Sequence, residues 1–381
     1  MSQFKPEQIA LWSDGTWKNA EMPGLIAGFC FDARRVKPGE CFVALSCGVR
    51  DGHEFVRQAL DNGAGSLLLE RPQTVALPQL VVNNSLAAMG AIASTVRRQF
   101  SGPVVGITGS CGKTSTKDIL RILLGEAQTH GTPGNWNNLI GVPMTLFDLD
   151  NDQHDFAVIE AGINQPGEMS ALGSMIEADL AIITNIGPAH LELLGSLENI
   201  ATEKSLLAAN SKADAPVVMP GSVAQYPDFL KYANRAIIIA ETDEAVDINP
   251  GHMVRYRLKV SGSGSSIVSL RDGATVQEFE IASPSQGICA NAALAITAAR
   301  YFGISDADIK KRLSVWSPAS NRGRMEKCGH QTFYIDCYNA NPASMVDAIA
   351  AFCRSTPFDE PRCYVLGTMN LDSAVEVDEI L

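Results

Sequence analysis

The sequence predicts an α/β protein with more than one domain, and three observations support this prediction. The chain has 381 residues, which is more than one hydrophobic core usually organises. Between 103 and about 315, apolar runs that suit strands alternate with helix-compatible segments, the order that gives a parallel sheet wrapped by helices. Runs such as Leu180–Ile183 are continuously apolar, as expected for strands buried on both faces.

The composition narrows the class of protein. It is 46% hydrophobic and 19% charged, with a formal net charge of −12. These values are typical of a globular protein and disfavour a nucleic-acid partner, since phosphate backbones require basic surfaces. No apolar run approaches the ~20 residues that cross a bilayer, the N-terminal segment has no signal-peptide pattern, and the cysteines form no C-x-x-C pair. We therefore expect a cytoplasmic protein that inserts into no membrane, and we also expect a monomer.

Changes in the pattern of elements divide the chain into three parts. The first and third are small α/β units, and the third is expected to contain a strand at 332–336, a helix at 343–354 and a strand at 362–367. In the middle part, three β-type runs between 252 and 281 predict an antiparallel extension of the sheet. The predicted bounds are 1–83 for an N-terminal domain, 84–102 for a linker helix, 103–317 for a central domain and 318–381 for a partial C-terminal domain.

A glycine-rich turn at 106–116 is the most informative motif. It follows an apolar strand, precedes a predicted helix and reads GITGSCGKTST. Backbone N–H groups in such a turn can hold phosphate, Lys113 would reach the terminal phosphates, and the Thr114 hydroxyl would bind Mg²⁺. Ile107 stands where the strict pattern has glycine, and the alternative is a chance turn. The residues predicted to bind ATP here are Gly109, Ser110, Cys111, Gly112, Lys113, Thr114 and Ser115.

Two side chains follow neighbouring strands of the predicted sheet. Glu160 ends the apolar run 156–160, and His190 follows the strand at 179–183. Because the carboxyl ends of parallel strands face the ligand crevice, both residues are candidate metal ligands. The alternatives are a helix cap or solvated strand end for Glu160, and a packed or exposed histidine for His190.

The segment 134–143 is rich in amides and glycine. Its residues Asn135, Asn137 and Asn138 offer donors and acceptors that could bind a peptide or sugar. The alternative is a turn that uses asparagine for its backbone geometry. Lys204 lies in a helical stretch and, taken alone, is expected to be a solvated lysine.

Taken together, these motifs resemble those of the Mur ligases, the ATP-dependent amino-acid-adding enzymes of peptidoglycan synthesis, whose loop also lacks the first glycine. The resemblance covers nearly the whole chain and is strongest to the members that add D-alanyl-D-alanine to UDP-N-acetylmuramoyl-tripeptide. Its further motifs are Asp32-Ala33-Arg34, Asp51-Gly52-His53-Glu54-Phe55, Gly134-Asn135 with Asn137-Asn138, Glu160-Ala161-Gly162, Asn185-Ile186-Gly187-Pro188-Ala189-His190, Gly323-Arg324 and Tyr338-Asn339-Ala340-Asn341-Pro342.

The resemblance implies a three-domain architecture. An N-terminal domain would bind the UDP-linked substrate, a central P-loop domain with a parallel sheet would bind ATP, and a Rossmann-like C-terminal domain, here shortened, would close over the site. It implies that ATP and Mg²⁺ are used, and that the tripeptide carboxylate is phosphorylated before the amine of D-alanyl-D-alanine attacks it. The partners would be UDP-N-acetylmuramoyl-tripeptide and D-alanyl-D-alanine.

The resemblance also assigns roles to individual residues. Lys113, His190 and Lys204 would be catalytic, and Thr114 with Glu160 would bind the metal of ATP. His190 and Lys204 would bind a second metal, the lysine as a carbamate. Further ATP contacts would come from Asn291, Arg324, Asp336 and Asn339. Substrate contacts would come from Asp32, Arg34, Asn135, Asn137, Asn138 and Asn341.

Some positions depart from the family pattern. Gly287 and Ile288 stand where a His-Asn pair is usual, Cys337 replaces a serine, Thr368 replaces an aspartate and Phe31 replaces a small hydroxyl residue. These departures keep open a second hypothesis, a degenerate relative that binds nucleotide or UDP-muramoyl peptide without completing ligation. A third is another amide ligase of the superfamily, such as a folylpolyglutamate-type enzyme.

Overall fold

The computed structural model describes residues 3–19, 22–47, 50–189, 191–247, 249–260 and 264–367. Its N-terminal part is built on a five-stranded sheet in which only the β1–β7 pair is antiparallel. The sheet order is β1-β7-β6-β3-β2, and β4 and β5 form a separate hairpin. The elements are α1 Pro6–Ser13, β1 Thr16–Lys18, β2 Phe29–Cys30, β3 Cys41–Val43, β4 Ser46–Cys47, β5 Arg50–Asp51, α2 Val56–Asp61, β6 Ser66–Leu69 and β7 Gln79–Val81.

A long helix, α3 (Ser85–Gln99), joins this sheet to the next. It begins where the Asn84 side chain accepts a hydrogen bond of 2.8 Å from the Ala87 amide, a standard helix cap. Near its other end, Arg97 is buried and donates hydrogen bonds of 2.7 Å to the Ile176 carbonyl and to the Asp179 carboxylate. Because a buried guanidinium needs such partners, these contacts fix the helix to the central part.

The central part contains a nine-stranded sheet in the order β16-β15-β14-β13-β12-β11-β8-β10-β9. Its pairs are parallel from β14 to β9, and only β15 and β16 are antiparallel. The three strands of the predicted antiparallel extension pair antiparallel with one another, which confirms that prediction, and β14 joins them to the sheet by pairing in parallel with β13. The strands are β8 Val104–Thr108, β9 Thr129–Gly131, β10 Phe156–Glu160, β11 Leu180–Ile183, β12 Val217–Pro220, β13 Ala236–Glu241, β14 His252–Val260, β15 Ser266–Asp272 and β16 Thr275–Ile281.

Helices cover both faces of this sheet, since its buried side chains divide between two hydrophobic clusters. This confirms the predicted α/β class with a parallel central sheet. Among the described helices, none has the length and apolar character that crossing a bilayer requires. The central helices are α4 Lys113–Leu124, α5 Gly141–Phe147, α6 Glu168–Ile176, α7 Leu191–Leu194, α8 Leu197–Ala209, α9 Gly221–Ala224, α10 Pro227–Leu230, α11 Gln286–Tyr301 and α12 Asp306–Leu313.

The C-terminal unit, which we define as residues 322–367, is small. It consists of the antiparallel hairpin of β17 (Arg322–Cys328) and β18 (Gln331–Asp336), followed by α13 (Pro342–Ser355). The strand predicted at 362–367 is wrong, because that segment pairs with no strand in the described residues. An apolar run forms a strand only when a partner strand supplies its hydrogen bonds.

Candidate active site

The glycine-rich turn lies at the middle of the central sheet. β8 runs between β10 and β11, so the residues that follow these three parallel strands meet at one edge. The first amides of α4, from Lys113 onward, have no acceptor within the helix and are available to an anion. Gly112 has φ of +80°, and a Cβ there would lie 2.5 Å from Oδ1 of Asn291. Only glycine fits this position, and Asn291, predicted to bind ATP, packs directly against the loop.

Residues 184–187, which follow β11, hold the turn in shape. The Ser110 amide donates a hydrogen bond of 3.2 Å to the Asn185 carbonyl, and the Cys111 amide donates one of 2.9 Å to Oδ1 of Asn185. The Ser110 hydroxyl donates one of 2.8 Å to the Gly187 carbonyl. The amides of Ser110 and Cys111 therefore already have acceptors. The amides at the start of α4 are the ones that remain available to a phosphate group.

The Lys113 side chain folds back onto the glycine-rich turn. Its Nζ donates a hydrogen bond of 2.7 Å to the Gly109 carbonyl. Desolvation lowers the pKa of Lys113, and the nearby Glu160 carboxylate opposes this shift. The ammonium therefore already lies within the loop that a phosphate chain would enter.

Glu160 fits the requirements of a metal ligand. It ends β10, is 0% exposed, and its Oε2 accepts long hydrogen bonds from the Thr114 hydroxyl at 3.3 Å and the Asn137 amide at 3.4 Å. Its Oε1 is buried and receives no hydrogen bond. The Lys117 ammonium lies 3.3 Å from Oε1, while Oε2 has only long hydrogen bonds beside a threonine hydroxyl. Because a buried carboxylate oxygen is costly without a strong partner, Oε2 suits a divalent cation. Mg²⁺ binds proteins through one or two carboxylates together with substrate phosphates.

A site of this kind needs few protein ligands. Among the described residues, no group of three or more His, Cys, Asp or Glu side chains converges on one point. His190, the predicted ligand of a second metal, lies outside the described residues.

Lys204 is buried rather than solvated. It lies on α8, and the residue is 3% exposed, so the solvated lysine expected from the sequence alone is wrong. Burial, reinforced by repulsion from Lys113, lowers the pKa of Lys204 to about 7. The electrostatic effect of Lys113 also shows that the two lysines share one region.

The three asparagines of the 134–143 segment have different surroundings. Asn135 is exposed, whereas Asn137 contacts the Glu160 carboxylate. Asn138 accepts hydrogen bonds from the amides of Ile140 at 3.1 Å and Gly141 at 2.9 Å. Asn138 thus shapes the turn that leads into α5, as in the alternative interpretation of this segment. Substrate binding by all three remains a prediction.

The candidate substrate residues of the N-terminal part form an ion pair. Asp32 accepts hydrogen bonds from Arg34 at 2.9 Å and 2.8 Å, which lowers the pKa of Asp32 to about 2. The preceding Phe31 ring lies 6.1 Å from the Trp136 ring, centroid to centroid. This contact places the Asp32 turn next to the asparagine-rich segment of the central part.

The candidate residues of the C-terminal unit make local contacts in the structure. Arg324 pairs with Glu326 at 3.0 Å, and Asp336 and Asn339 are exposed. Asn341 caps α13, since its side chain accepts a hydrogen bond of 2.9 Å from the Ser344 amide. The ATP and substrate roles of these four residues stay predictions.

A carboxylate of the C-terminal unit caps a helix of the central part. Asp347, on α13, accepts hydrogen bonds from the amides of Gln286 at 3.0 Å and Gly287 at 3.1 Å, and from the Ser285 hydroxyl. These groups form the first turn of α11, where a negative charge is favoured. Because α11 also carries Asn291, the contact links the C-terminal unit to the helix that packs on the glycine-rich turn.

Sequence reasoning assigned no individual role to four residues around this site. Asn185 shapes the loop, Lys117 lies beside Glu160, Asp347 caps α11, and Arg322 at the start of β17 lowers the pKa of Lys113. The sequence did contain a signal for Lys117. It follows Lys113 by four residues and Thr114 by three, which places all three on one side of the predicted helix. Asp347 gave no such signal, since its partners lie about sixty residues away in the sequence.

The family of the chain follows from comparison with known proteins. Residues 107–299 match the model of the Mur ligase middle domain, the segment that contains the glycine-rich turn, Glu160, Lys204 and Asn291. Relatives that are at least 30% identical align with 89–90% of the chain. The chain belongs to the Mur ligase family, a family of ATP-dependent ligases.

The similar relatives carry one name. UDP-N-acetylmuramoyl-tripeptide–D-alanyl-D-alanine ligase of Escherichia coli K12 is 31% identical over 351 residues, which are 89% of this chain and 74% of the relative. The protein of that name from Bacillus subtilis is 30% identical over 90% of this chain and 74% of its own.

Solved structures of Mur ligases also resemble this chain. A crystal structure of MurF from Acinetobacter baumannii superposes with a TM-score of 0.84 at 28% identity, covering 93% of this chain and 78% of that one. MurF ligase from Thermotoga maritima in complex with ADP gives 0.75 at 27% identity, covering 86% and 75%. These comparisons favour a ligase over the degenerate binding protein that the departures had left open.

Proposed function

We propose that this protein joins D-alanyl-D-alanine to UDP-N-acetylmuramoyl-tripeptide by forming an amide bond at the expense of ATP, which yields ADP and phosphate. The observation that supports it most is the placement of Lys113, Thr114 and Glu160 together at the carboxyl ends of β8 and β10, in a chain 31% identical to a ligase of this name. The place of action is the cytoplasm, where ATP is available.

The chemistry explains why a phosphate site is needed. A carboxylate is a poor electrophile, and transfer of the γ-phosphoryl group to the terminal carboxylate of the tripeptide creates a leaving group. The amine of D-alanyl-D-alanine then attacks the acyl carbon, the amide forms, and phosphate leaves with the bonding electron pair. Each turnover therefore consumes one ATP for each amide bond.

The residues of the central sheet would hold the nucleotide. The amides at the start of α4 would bind the phosphate chain, and Lys113 would exchange its bond to the Gly109 carbonyl for the terminal phosphates. The Thr114 hydroxyl and the Glu160 carboxylate would hold Mg²⁺, which would neutralise charge on the transferred group. Asn291 packs on Gly112 and would keep the loop rigid during exchange of nucleotide.

Lys204 and His190 are proposed to form a second cation site. A lysine whose pKa is about 7 is uncharged in about half of the molecules at neutral pH, and the uncharged amine is the form that reacts with carbon dioxide to give a carbamate. The carbamate is an anion with oxygen donors, the ligands that Mg²⁺ prefers. Substitution of Lys204 by alanine is expected to abolish turnover, with or without added bicarbonate.

The substrate end of the site is proposed to lie between the N-terminal and central parts. Asp32, Arg34 and Asn135 stand on either side of the contact between Phe31 and Trp136. Arg34 and Asn135 are exposed and Asp32 is partly exposed. The polar groups of these three residues would bind the nucleotide-sugar portion of the substrate, and Asn341 would bind the incoming dipeptide.

One assay tests this function. The protein is incubated with ATP, Mg²⁺, UDP-N-acetylmuramoyl-tripeptide and D-alanyl-D-alanine, and both phosphate and the UDP-linked pentapeptide are measured. We expect one phosphate for each pentapeptide, and no phosphate above background when the dipeptide is omitted. Release of phosphate without pentapeptide, or binding of the UDP-peptide with neither product, would contradict the proposal.

A further inference from the structure

Lys117 is a buried lysine beside the candidate metal-binding carboxylate. Its side chain is 5% exposed, and its ammonium lies 3.3 Å from Oε1 of Glu160 and 3.2 Å from Oδ1 of Asp118. It also donates a hydrogen bond of 2.9 Å to the Thr132 carbonyl. An ammonium taken out of water is costly unless it is paired and hydrogen-bonded, and these three oxygen atoms meet that requirement.

The position of Lys117 follows from the geometry of α4. Lys117 follows Lys113 by four residues and Thr114 by three, so it lies about one turn further along the same side of the helix. Lys113 reaches back to the glycine-rich turn, Thr114 contacts Oε2 of Glu160, and Lys117 approaches Oε1. The same helix thus supplies groups to both oxygens of a single carboxylate on β10.

The two oxygens of Glu160 have different partners. Oε2 faces the Thr114 hydroxyl and the Asn137 amide, whereas Oε1 receives no hydrogen bond and lies 3.3 Å from the Lys117 ammonium. Glu160 is 0% exposed, so its charge is not screened by water. The amide of Glu160 is also fixed, by a hydrogen bond of 2.8 Å to the Thr132 hydroxyl.

We propose that Lys117 is a positioning residue for Glu160: its ammonium holds Oε1 and offsets the buried negative charge, so that Oε2 remains directed at the cation site beside Thr114. This inference rests on the proposed function, because it takes Glu160 as the carboxylate that binds the cation of the nucleotide. Lys117 itself contacts neither substrate nor nucleotide in this account.

The proposal has an unusual thermodynamic consequence. Removing the ammonium takes away the ion pair within 4 Å that Glu160 has among the described residues, whereas a bound cation compensates the same carboxylate. The metal-free state is therefore destabilised more than the metal-bound state, and by linkage the cation must bind more tightly to the variant. Catalysis is expected to fall at the same time, because Oε1 is no longer held and the carboxylate can turn.

The test compares two variants of Lys117 with a matched control. Lys117→Met removes the charge and keeps most of the side-chain length, Lys117→Arg keeps the charge, and Lys311→Met makes the first change on an exposed lysine of α12. Mn²⁺ binding to the nucleotide-free protein is measured by electron paramagnetic resonance. The ligation rate is measured in parallel at saturating ATP and Mg²⁺.

We expect the dissociation constant for Mn²⁺ to fall about tenfold in Lys117→Met, since a cation at this distance no longer repels the metal. We expect kcat to fall at least about tenfold, because misorientation of a positioned group has costs of this size or larger. In Lys117→Arg, the dissociation constant for Mn²⁺ and kcat should stay close to those of the unsubstituted protein. In Lys311→Met, both should equal them. Unchanged or weaker Mn²⁺ binding in Lys117→Met would overturn the proposal, since general damage to the site weakens binding.

A second measurement, of thermal stability, separates loss of the ion pair from general misfolding of Lys117→Met. The thermal midpoint in EDTA should be lower for Lys117→Met than for the unsubstituted protein. It should be higher again in the double variant Lys117→Met with Glu160→Gln, because the buried carboxylate is then removed together with the ammonium. A double variant no more stable than the single one would also overturn the proposal. Absence of ligation by the unsubstituted protein would refute the proposed function instead, while the stability comparison and the Mn²⁺ affinities would still decide the role of Lys117.

Discussion

We call the glycine-rich turn, together with Glu160, residues 184–187 and Lys204, the nucleotide edge. It differs from the C-terminal unit in how its polar groups are held. Glu160 and Lys204 are 0% and 3% exposed, and they stand on elements of one continuous sheet and its covering helices. In the C-terminal unit, Ala351 is the buried residue of α13, while Phe358 and Val365 are each 94% exposed. The sheet therefore fixes the first site, whereas the second depends on contacts with its neighbour.

This difference assigns distinct roles to the two regions. The nucleotide edge is organised before any ligand binds, as the bonds from Ser110 and Cys111 to Asn185 show, and preorganised groups are the more effective in charge stabilisation. The C-terminal unit contacts the start of α11 through Asp347, and Arg354 donates a hydrogen bond to the Pro284 carbonyl just before it. We expect substitutions in the first region to abolish the reaction and substitutions in the second to weaken it.

The largest effect is expected for Lys113→Met. The variant loses the charge that would meet the terminal phosphates, so kcat/KM for ATP should fall by about 10³-fold or more, the range found when a group that stabilises a transition state is removed. The measurement is the initial rate of pentapeptide formation, with Lys311→Met as the control of unchanged rate. A fall of less than tenfold would show that the nucleotide does not use this turn.

A smaller effect is expected for Asp347→Ala. Loss of a carboxylate that caps a helix costs about 1–2 kcal/mol, so the C-terminal unit should dock less often and pentapeptide formation should fall about tenfold. Binding of a nonhydrolysable ATP analogue should change less than turnover, and hydrogen exchange should increase in α13. The control is Asp359→Ala on the exposed end of the same unit. Equal rates in both variants would remove Asp347 as the link between the two parts.

Asn341 allows the capping role to be separated from the proposed substrate role. Asn341→Ser keeps a capping side chain, so the stability of α13 should change by less than about 0.5 kcal/mol, whereas Asn341→Ala should cost about 1 kcal/mol. If the amide binds the dipeptide, both variants should raise the KM for D-alanyl-D-alanine about fivefold or more, as expected for a lost hydrogen bond. A normal KM in Asn341→Ser would show that the residue only caps the helix.

The last prediction, at the edge of the central sheet, concerns the stability of the fold rather than turnover, and it depends on pH. His130, on β9, donates from Nε2 to the Thr145 carbonyl at 2.8 Å, and burial lowers the pKa of His130 to about 4. The unfolded chain binds a proton near pH 6.5 and the folded one does not until about pH 4. Stability is therefore lost as the pH falls through this window, by at most about 1.4 kcal/mol for each pH unit.

Urea unfolding between pH 7 and 4 measures this effect. His130→Gln should show a shallower loss of stability with falling pH than the unsubstituted protein. Equal slopes in the unsubstituted protein and His130→Gln would show that His130 is protonated to the same extent in the folded and unfolded states.

The sequence predicted what depends on local spacing. The strand, turn and helix around Lys113 are encoded within about twenty residues, and Glu160 could be placed beside them because parallel strands end at one edge. It could not predict the burial of Lys204, because α8 lacks a pronounced apolar face that would show which side meets the sheet. Nor could it predict the contact of Asp347 with α11, which joins elements far apart in the chain.

One error concerns a strand. The run at 362–367 is apolar enough for a strand, but strand formation depends on a partner that local sequence does not specify. The antiparallel pairing within the 252–281 region was predicted correctly from its local turns, whereas the parallel pairing of its first strand with β13 is set by a distant segment. Asn138 illustrates the opposite case, since its hydrogen bonds to Ile140 and Gly141 are local and the turn alternative had anticipated them.

The account depends most on the claim that the turn at Lys113 and the carboxylate of Glu160 form one metal-dependent nucleotide site. Equilibrium binding of a nonhydrolysable ATP analogue, measured by calorimetry with Mg²⁺ and again with EDTA, tests it directly. We expect Mg²⁺ to tighten binding at least about tenfold in the unsubstituted protein and to have no such effect in Glu160→Gln. Binding that ignores Mg²⁺, or an undiminished effect of Mg²⁺ in Glu160→Gln, would contradict the claim.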